Sequence, residues 1–340
     1  MNALLADPTR KPEPEDAITD WYLPSEDPIS GFLYPGPAAI RDHPRLYDLA
    51  ASLLKLSMEK TQAGFEEFVV RTHNRSYRGH RIDTVGGFFY ALRRLPETIA
   101  TLEQLGVEPG LAQLLLHPNL SKGGLILICG EPGQGKSTTC AAVVKERMER
   151  MGSFCLTVED PPEQPLHGPH GAGRCLQTGV KAGQWATAMK GAMRCYPTKA
   201  GSMLYVGETR DEESAVEVLR IATNGHLVLT TVHSEGLETA IARYVGMASA
   251  VISPTEVRNV MASCFRLGVH QRLEEHSSAN GQLSRRLKAS FLFSPNERSP
   301  VAQKLRAGSE SLNNEIRTQE MLLKSKGVAG VLEMWGEKRG

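Results

Sequence analysis

The sequence predicts an α/β fold in which a mostly parallel sheet carries helices on both faces. Short apolar runs over residues 125–129, 154–158 and 203–206 read as buried strands. Helical patterns over residues 136–151 and 212–223 alternate with them, and a glycine-rich turn follows the first apolar run. With 340 residues, the chain is long enough for two domains at roughly 100–200 residues each.

The first hundred residues have a different pattern and predict a small separate domain. Residues 1–30 are acidic and rich in proline, which is typical of a flexible tail. A helix is expected over residues 44–64, followed by short strands over 67–72, 77–83 and 88–95. We therefore predict a tail over residues 1–30, an N-terminal domain over 31–97 and a larger domain over 98–340.

Three further regions of the larger domain have weaker patterns. A helix is expected over residues 102–116, and the chain beyond residue 254 looks mainly helical. Strand-like stretches stand near residues 268–273 and 288–293, and a last helix is expected over 311–326.

Composition restricts the partners and the compartment. The formal net charge is +1, which counts against nucleic acid as a direct partner because phosphate binding usually leaves a basic footprint. Six dispersed cysteines form no CxxC pair, so no zinc site is predicted and a reducing compartment is favoured. The N-terminus lacks a signal-peptide pattern, and no apolar run approaches the roughly 18 residues of a membrane span. We expect a cytoplasmic protein.

A phosphate-binding loop is predicted over residues 130–137, which match G-x-x-x-x-G-K-[ST] at every fixed position. A strand before the loop and a helix after it favour nucleotide binding over a chance match. Lys136 should reach the β- and γ-phosphates, and the Ser137 hydroxyl should bind Mg²⁺. The predicted nucleotide-binding residues are Gly130, Glu131, Pro132, Gly133, Gln134, Gly135, Lys136, Ser137 and Thr138.

Acidic residues follow two other predicted strands, in the segments LTVEDPPE ending at Glu163 and LYVGETRD ending at Asp211. Strand ends of an open α/β sheet meet at the edge where ligands bind, so these acids could face the γ-phosphate. The alternative is solvated loop acids or helix caps, and Asp211 fits a cap before the next helix. For Glu208 the functional interpretation is favoured, because Gly207 lets the backbone pass close to a ligand.

Two histidines, His226 and His233, bracket the predicted strand between them. Residues seven apart on a strand point to opposite faces, so a shared metal site is not expected. From the residues alone, one ordinary hydrogen-bonded histidine at each strand end is the favoured interpretation.

Taken in order, four motifs resemble those of the type II/type IV secretion ATPases, in the PilT-like and DotB/TraJ-like branch. GEPGQGKSTT is similar to the family's Walker A motif, LTVEDPPE to its aspartate box, MLYVGETRDEES to its Walker B motif and NGHLVLTTVHS to its histidine box. The resemblance runs from about residue 77 to 326. It implies a RecA-like P-loop NTPase domain with a smaller N-terminal PAS-like α+β domain.

The resemblance also implies functions for individual residues. Glu208 would be the Walker B acid and bind Mg²⁺ with Ser137, and Glu163 would be the general base or water orienter. His226 and His233 would bind the nucleotide and couple its state to neighbouring elements, against the interpretation from spacing alone. Arginines would complete the site, and the matching positions are Arg93 as a residue acting in trans, Arg78 and Arg81 as weaker candidates, and Arg210 and Arg243.

The function implied is a hexameric cytoplasmic ATPase that uses ATP and Mg²⁺. It would power a type IV secretion, conjugation or pilus machine through platform proteins at the inner membrane. The chain lacks the family's tetracysteine motif, and its acidic N-terminal extension is unlike PilT, which favours secretion or conjugation. Two alternatives remain at this point: a RecA-like nucleic-acid motor, and a scaffold that switches its assembly with nucleotide but does not hydrolyse it.

Overall fold

The chain divides into two units in the computed structural model, which describes residues 17–73, 75–181, 183–197, 201–277, 283–308 and 311–333. The first unit comprises Met1–Ile99, Glu159–Leu166 and Gln177–Gln184, and the second comprises Ala100–Val158, His167–Leu176 and Trp185–Gly340. The division after Ile99 lies close to the boundary expected between residues 97 and 98. The two later segments of the first unit have no counterpart in the sequence prediction.

The first unit is an antiparallel sheet with one long helix. Its described strands are β1 (Asp20–Pro24), β2 (Phe32–Tyr34), β3 (Ala38–Ala39), β4 (Glu67–Thr72), β5 (Arg75–Thr84) and β6 (Gly87–Arg94), in the order β3-β2-β1-β6-β5-β4. Helix α1 (Tyr47–Gln62) contributes Leu53 to a core that also contains Phe68 and Tyr90. Short 3-10 helices cover Pro28–Ser30, Ile40–Asp42 and Pro44–Leu46.

The tail predicted over residues 1–30 is wrong for its last part. β1 pairs with both β2 and β6, and its Trp21 and Leu23 are buried in the core of the first unit. The alternation of buried and partly exposed residues along β1 is that of a half-buried strand, which the nearby prolines obscured. Residues 1–16 lie outside the described residues.

The second unit contains an eight-stranded sheet, of which six adjacent strands are parallel. Its strands are β7 (Gly124–Gly130), β8 (Phe154–Val158), β9 (Gly168–His170), β10 (Gly173–Leu176), β11 (Ser202–Val206), β12 (Leu227–His233), β13 (Phe265–Ser277) and β14 (Leu283–Phe293). The order is β14-β13-β7-β12-β11-β8-β10-β9, with β9 and β14 antiparallel to their neighbours. The predicted parallel α/β sheet is confirmed.

Eight helices of the described chain belong to the second unit. They are α2 (Pro109–Leu115), α3 (Lys136–Met151), α4 (Trp185–Met193), α5 (Glu212–Thr223), α6 (Leu237–Ser249), α7 (Pro254–Cys264), α8 (Pro300–Ala307) and α9 (Asn313–Glu333), with a 3-10 helix over Pro118–Lys122. Asp211 caps α5 by accepting a hydrogen bond from the Ser214 backbone N–H at 2.7 Å, which confirms the predicted cap. Throughout the part of the chain that the structure covers, each helix falls short of the length and apolarity that crossing a bilayer requires.

Three sequence predictions differ from the structure in the second unit. The helix expected over residues 102–116 forms only at Pro109–Leu115, because Gly106 takes a left-handed turn with φ 73° and Pro109 begins the helix. The region beyond residue 254 contains the long hairpin of β13 and β14 as well as helices. Helix α9 extends past the expected end at residue 326 and is interrupted at Gly327.

The order of strands fixes the neighbours of the phosphate loop. β7 is buried along its whole length between β12 and β13. Its last residue, Gly130, pairs with His233 at the end of β12, so the two strands end together at one edge of the sheet. The loop therefore starts beside the histidine that ends β12.

Candidate nucleotide-binding site

The phosphate loop connects β7 to α3 through glycines with backbone angles that other residues rarely adopt. Gly133 has φ 75° and Gly135 has φ 77°, both in the left-handed region, and α3 begins directly at Lys136. A Cβ atom at Gly130 would lie 2.4 Å from the carbonyl oxygen of Gln271, so no side chain fits there. Glycine is therefore favoured by backbone conformation at two positions of the loop and required by packing at a third.

The Lys136 side chain lies along its own loop. Its Nζ donates hydrogen bonds to the carbonyl oxygens of Gly130 at 2.9 Å and Glu131 at 2.8 Å, and it lies 3.0 Å from His233 Nδ1. Burial lowers the pKa of Lys136, while the carboxylate of Glu208 acts in the opposite direction. Phosphate oxygens, which carry charge, are stronger partners for an ammonium group than these carbonyls.

His233 lies between the Lys136 and Glu208 side chains and contacts both. Its Nδ1 faces Lys136 Nζ, and its Nε2 lies 3.0 Å from Glu208 Oε1. A neutral ring with the proton on Nε2 satisfies both contacts, because Nδ1 then accepts from the ammonium and Nε2 donates to the carboxylate. Arg210 Nε donates to the other oxygen of Glu208 at 2.8 Å. The order of side chains is Lys136, His233, Glu208, Arg210.

Threonines of β12 and the turn after β11 hold this arrangement in place. Thr231 Oγ1 donates to the Gly207 carbonyl at 2.7 Å, and Thr209 Oγ1 lies 2.9 Å from Thr230 Oγ1. Arg243 Nη1 donates to the His233 carbonyl at 3.0 Å. Arg243 is among the arginines predicted from the sequence, whereas the threonines are not; two adjacent polar residues, Thr230 and Thr231, inside an apolar strand are the signal that could have indicated them.

His226 lies at the opposite end of β12. Its Nδ1 is 2.5 Å from Ser202 Oγ, and its ring lies 5.0 Å from that of Tyr196. The seven residues of β12 separate it from His233 by roughly 20 Å, since a strand rises about 3.3 Å per residue. The structure therefore places His226 at the end of β12 away from this subunit's phosphate loop, and its role toward the nucleotide stays a prediction.

The predicted site residues Glu163, Arg93, Arg78 and Arg81 belong to the first unit. Glu163 pairs with Arg78, whose Nη1 lies 2.5 Å from Glu163 Oε1, and Arg78 also binds Glu67. Arg93 Nε donates to Asp20 Oδ1 at 2.7 Å, and this contact raises the pKa of Arg93. Arg81 pairs with Asp83 and lies over the ring of Phe88.

The residues at the loop fit a Mg²⁺–nucleotide. The space around Gly133 contains no other heavy atom within 4 Å of an added Cβ, so the turn of the loop is open to a ligand. Ser137 begins the helix after the loop, and Glu208 supplies carboxylate oxygens; hydroxyl and carboxylate oxygens are ligands that Mg²⁺ prefers. All six cysteines are free thiols, and five of them are buried.

A phosphate loop at the edge of this strand order defines a P-loop NTPase with a RecA-like core. The model of the type II/IV secretion system protein family matches residues 65–325, and the chain belongs to that family. The predicted fold class and the predicted family are confirmed.

Among curated relatives, the chain is 36% identical over 205 residues to the uncharacterized protein YggR of Escherichia coli K12, a match that covers 59% of each chain. It is 28% identical to a twitching motility protein of Neisseria gonorrhoeae, covering 61% of this chain and 53% of that protein. It is 26% identical to the pilus retraction ATPase PilT of Pseudomonas aeruginosa, covering 68% and 66%. The chain thus spans little more than half the length of the first two relatives.

Solved structures show the same fold. The pilus retraction motor PilT with bound ADP superposes with a TM-score of 0.68 at 23% identity, covering 94% of this chain and 89% of that one. The ATPase DotB of Legionella pneumophila gives a TM-score of 0.65 at 20% identity, covering 94% and 88%.

Proposed function

We propose that this protein hydrolyses ATP and that the phosphate loop and Glu208 form its reaction site. The observation that carries the proposal is the bridge from Lys136 through His233 to Glu208. The bridge brings a cation for the phosphates and a carboxylate for a metal ion to the same edge of the sheet. Such convergence at the carboxyl ends of parallel strands is where α/β proteins bind and transform ligands.

Each residue has a separate task in this proposal. Lys136 and the backbone N–H groups of the loop bind the terminal phosphates, and Ser137 and Glu208 hold Mg²⁺. When bound, Mg²⁺ neutralises charge that develops on the phosphate oxygens. His233 holds the Glu208 carboxylate in position, and Arg210 fixes its second oxygen. Glu163 orients the attacking water, and Arg93 contributes from a neighbouring subunit; both assignments rest on the family resemblance.

The biological role we propose is that of a motor in a secretion or pilus machine. Family membership and the likeness to PilT and DotB support a homohexamer on the cytoplasmic side of the inner membrane, bound there through platform proteins. Loss of the γ-phosphate would remove charge contacts that hold a closed state, which is how hydrolysis drives movement in nucleotide-controlled proteins.

The test separates binding from hydrolysis. Lys136→Ala should abolish phosphate release, because the cation for the terminal phosphates is removed. Glu208→Gln should slow release at least tenfold while nucleotide affinity stays within about threefold, since the amide has the same shape but lacks the charge. Wild-type protein that binds Mg·ATP but releases no phosphate when fully assembled would favour the nucleotide-switched scaffold. A Lys136→Ala protein with full activity would exclude the assigned site.

A further inference from the structure

Strand β13 continues past the point where its pairing with β7 ends, beside the phosphate loop. Its register with β7 ends at His270, which pairs with Cys129, whereas its pairing with β14 continues through Gln271 and beyond. From Gln271 onward, one edge of β13 therefore faces the phosphate loop. Backbone N–H groups on such an edge need other partners.

Gln134, a variable position of the loop motif, occupies this edge. The Leu273 backbone N–H donates to Gln134 Oε1 at 2.6 Å, and Gln271 Nε2 donates to the Gln134 carbonyl at 2.7 Å. The side chain of Gln134 thus takes the place of the missing strand neighbour. Two hydrogen bonds tie the centre of the phosphate loop to β13.

Gln271 is expected to destabilise the fold. Its side chain is fully buried, and its Oε1 has no hydrogen-bond partner among the described residues. An unsatisfied buried acceptor destabilises a protein, and an apolar residue of similar shape would avoid that penalty. The hydrogen bond from its Nε2 goes to the phosphate loop. Its benefit is therefore expected at the loop and not in the core.

We propose that Gln134 and Gln271 form a clasp that fixes the phosphate loop in the conformation that binds a nucleoside diphosphate or triphosphate. Both are positioning residues, because they hold the loop backbone and leave the phosphates to Lys136. The inference rests on the proposed nucleotide site. Without the clasp the loop samples other conformations, and apparent affinity falls in proportion to the competent fraction.

The experiment compares nucleotide affinity with stability in the absence of nucleotide. For Gln271→Leu, the Kd for fluorescent Mg·ADP should rise about three- to tenfold, the range for one hydrogen bond. The urea midpoint of the same variant should stay unchanged or increase, because the unsatisfied acceptor is gone. Gln134→Leu is a second variant, in which the replaced side chain is only half-buried. It should raise the Kd for Mg·ADP to a similar extent.

Gln319 provides the matched control. It is also fully buried in the second unit, but both ends of its amide are satisfied by the backbone of Phe293, at 2.7 and 2.9 Å. Gln319→Leu should lower the urea midpoint and leave the Kd for Mg·ADP within twofold. Affinity and stability would then move separately in the two glutamine variants.

The opposite results overturn the clasp. If the Kd for Mg·ADP in Gln271→Leu or Gln134→Leu stays within twofold of wild type, the clasp proposal is refuted, while the proposed ATPase activity is not affected by this result. A parallel loss of affinity and stability in Gln271→Leu, like that of a damaged core, also refutes the clasp. Wild-type protein without measurable affinity for Mg·ADP or Mg·ATP defeats the nucleotide site itself, and the clasp with it.

Discussion

Replacing His233 by alanine tests whether the bridge between Lys136 and Glu208 serves turnover. The substitution removes two contacts to charged groups, each 3.0 Å long. Lys136 keeps its two carbonyl partners and Glu208 keeps Arg210, so neither charge is left alone. The main consequence should be a Glu208 carboxylate that is free to rotate away from its position.

The size of the effect follows from the burial of the pair. A hydrogen bond to a charged group contributes about 1.5–3 kcal/mol when buried. His233 is 34% exposed and Glu208 15% exposed, so solvent weakens both contacts. We therefore expect loss of the bridge to raise the activation free energy by about 1–2 kcal/mol, which corresponds to a roughly 5- to 30-fold fall in kcat.

The assay is phosphate release at saturating Mg·ATP, together with the Kd for Mg·ADP. We expect kcat to fall in His233→Ala and the Kd to stay within about threefold, because the phosphate loop keeps its own contacts. His226→Ala is the control on the same strand, since His226 contacts Ser202 and Tyr196 at the other end, and its kcat should be unchanged. An unchanged kcat in His233→Ala, or an equal loss in both variants, would refute the reasoning.

Two predictions concern the fold itself. Native protein should react with one equivalent of a thiol reagent, at the exposed Cys195. The number should still be one at pH 9.5, because burial raises the pKa of the Cys129 and Cys264 thiols to about 12. A second fast-reacting thiol would contradict the described burial. Gly79→Ala should lower the free energy of unfolding by about 1–3 kcal/mol, because its Cβ would lie 2.2 Å from a buried aromatic ring. Gly246→Ala, in an open position inside α6, should raise it by up to about 1 kcal/mol; urea denaturation measures both, and equal signs would contradict the packing.

Local patterns in the sequence determined most of the α/β scaffold and the phosphate loop. Strand β8, helix α3 and helix α5 have the bounds that their apolar spacing and capping residues predict. The phosphate loop could be recognised from residues adjacent in the chain, because its glycines, lysine and serine act within one strand–loop–helix connection. Strand β1 was not predicted, because it begins at an acidic residue, Asp20, and ends at a proline, Pro24. Both residue types are typical of flexible tails.

Only the tertiary structure decided which distant residues meet. His233 reaches Lys136 because β12 pairs with β7 in a register that joins His233 to Gly130, and the same pairing places His226 far away. Gln134 meets β13 because β7 ends where β13 continues. Strand order and register depend on packing across the whole sheet, so motif spacing along the chain could identify the chemical groups but not their partners.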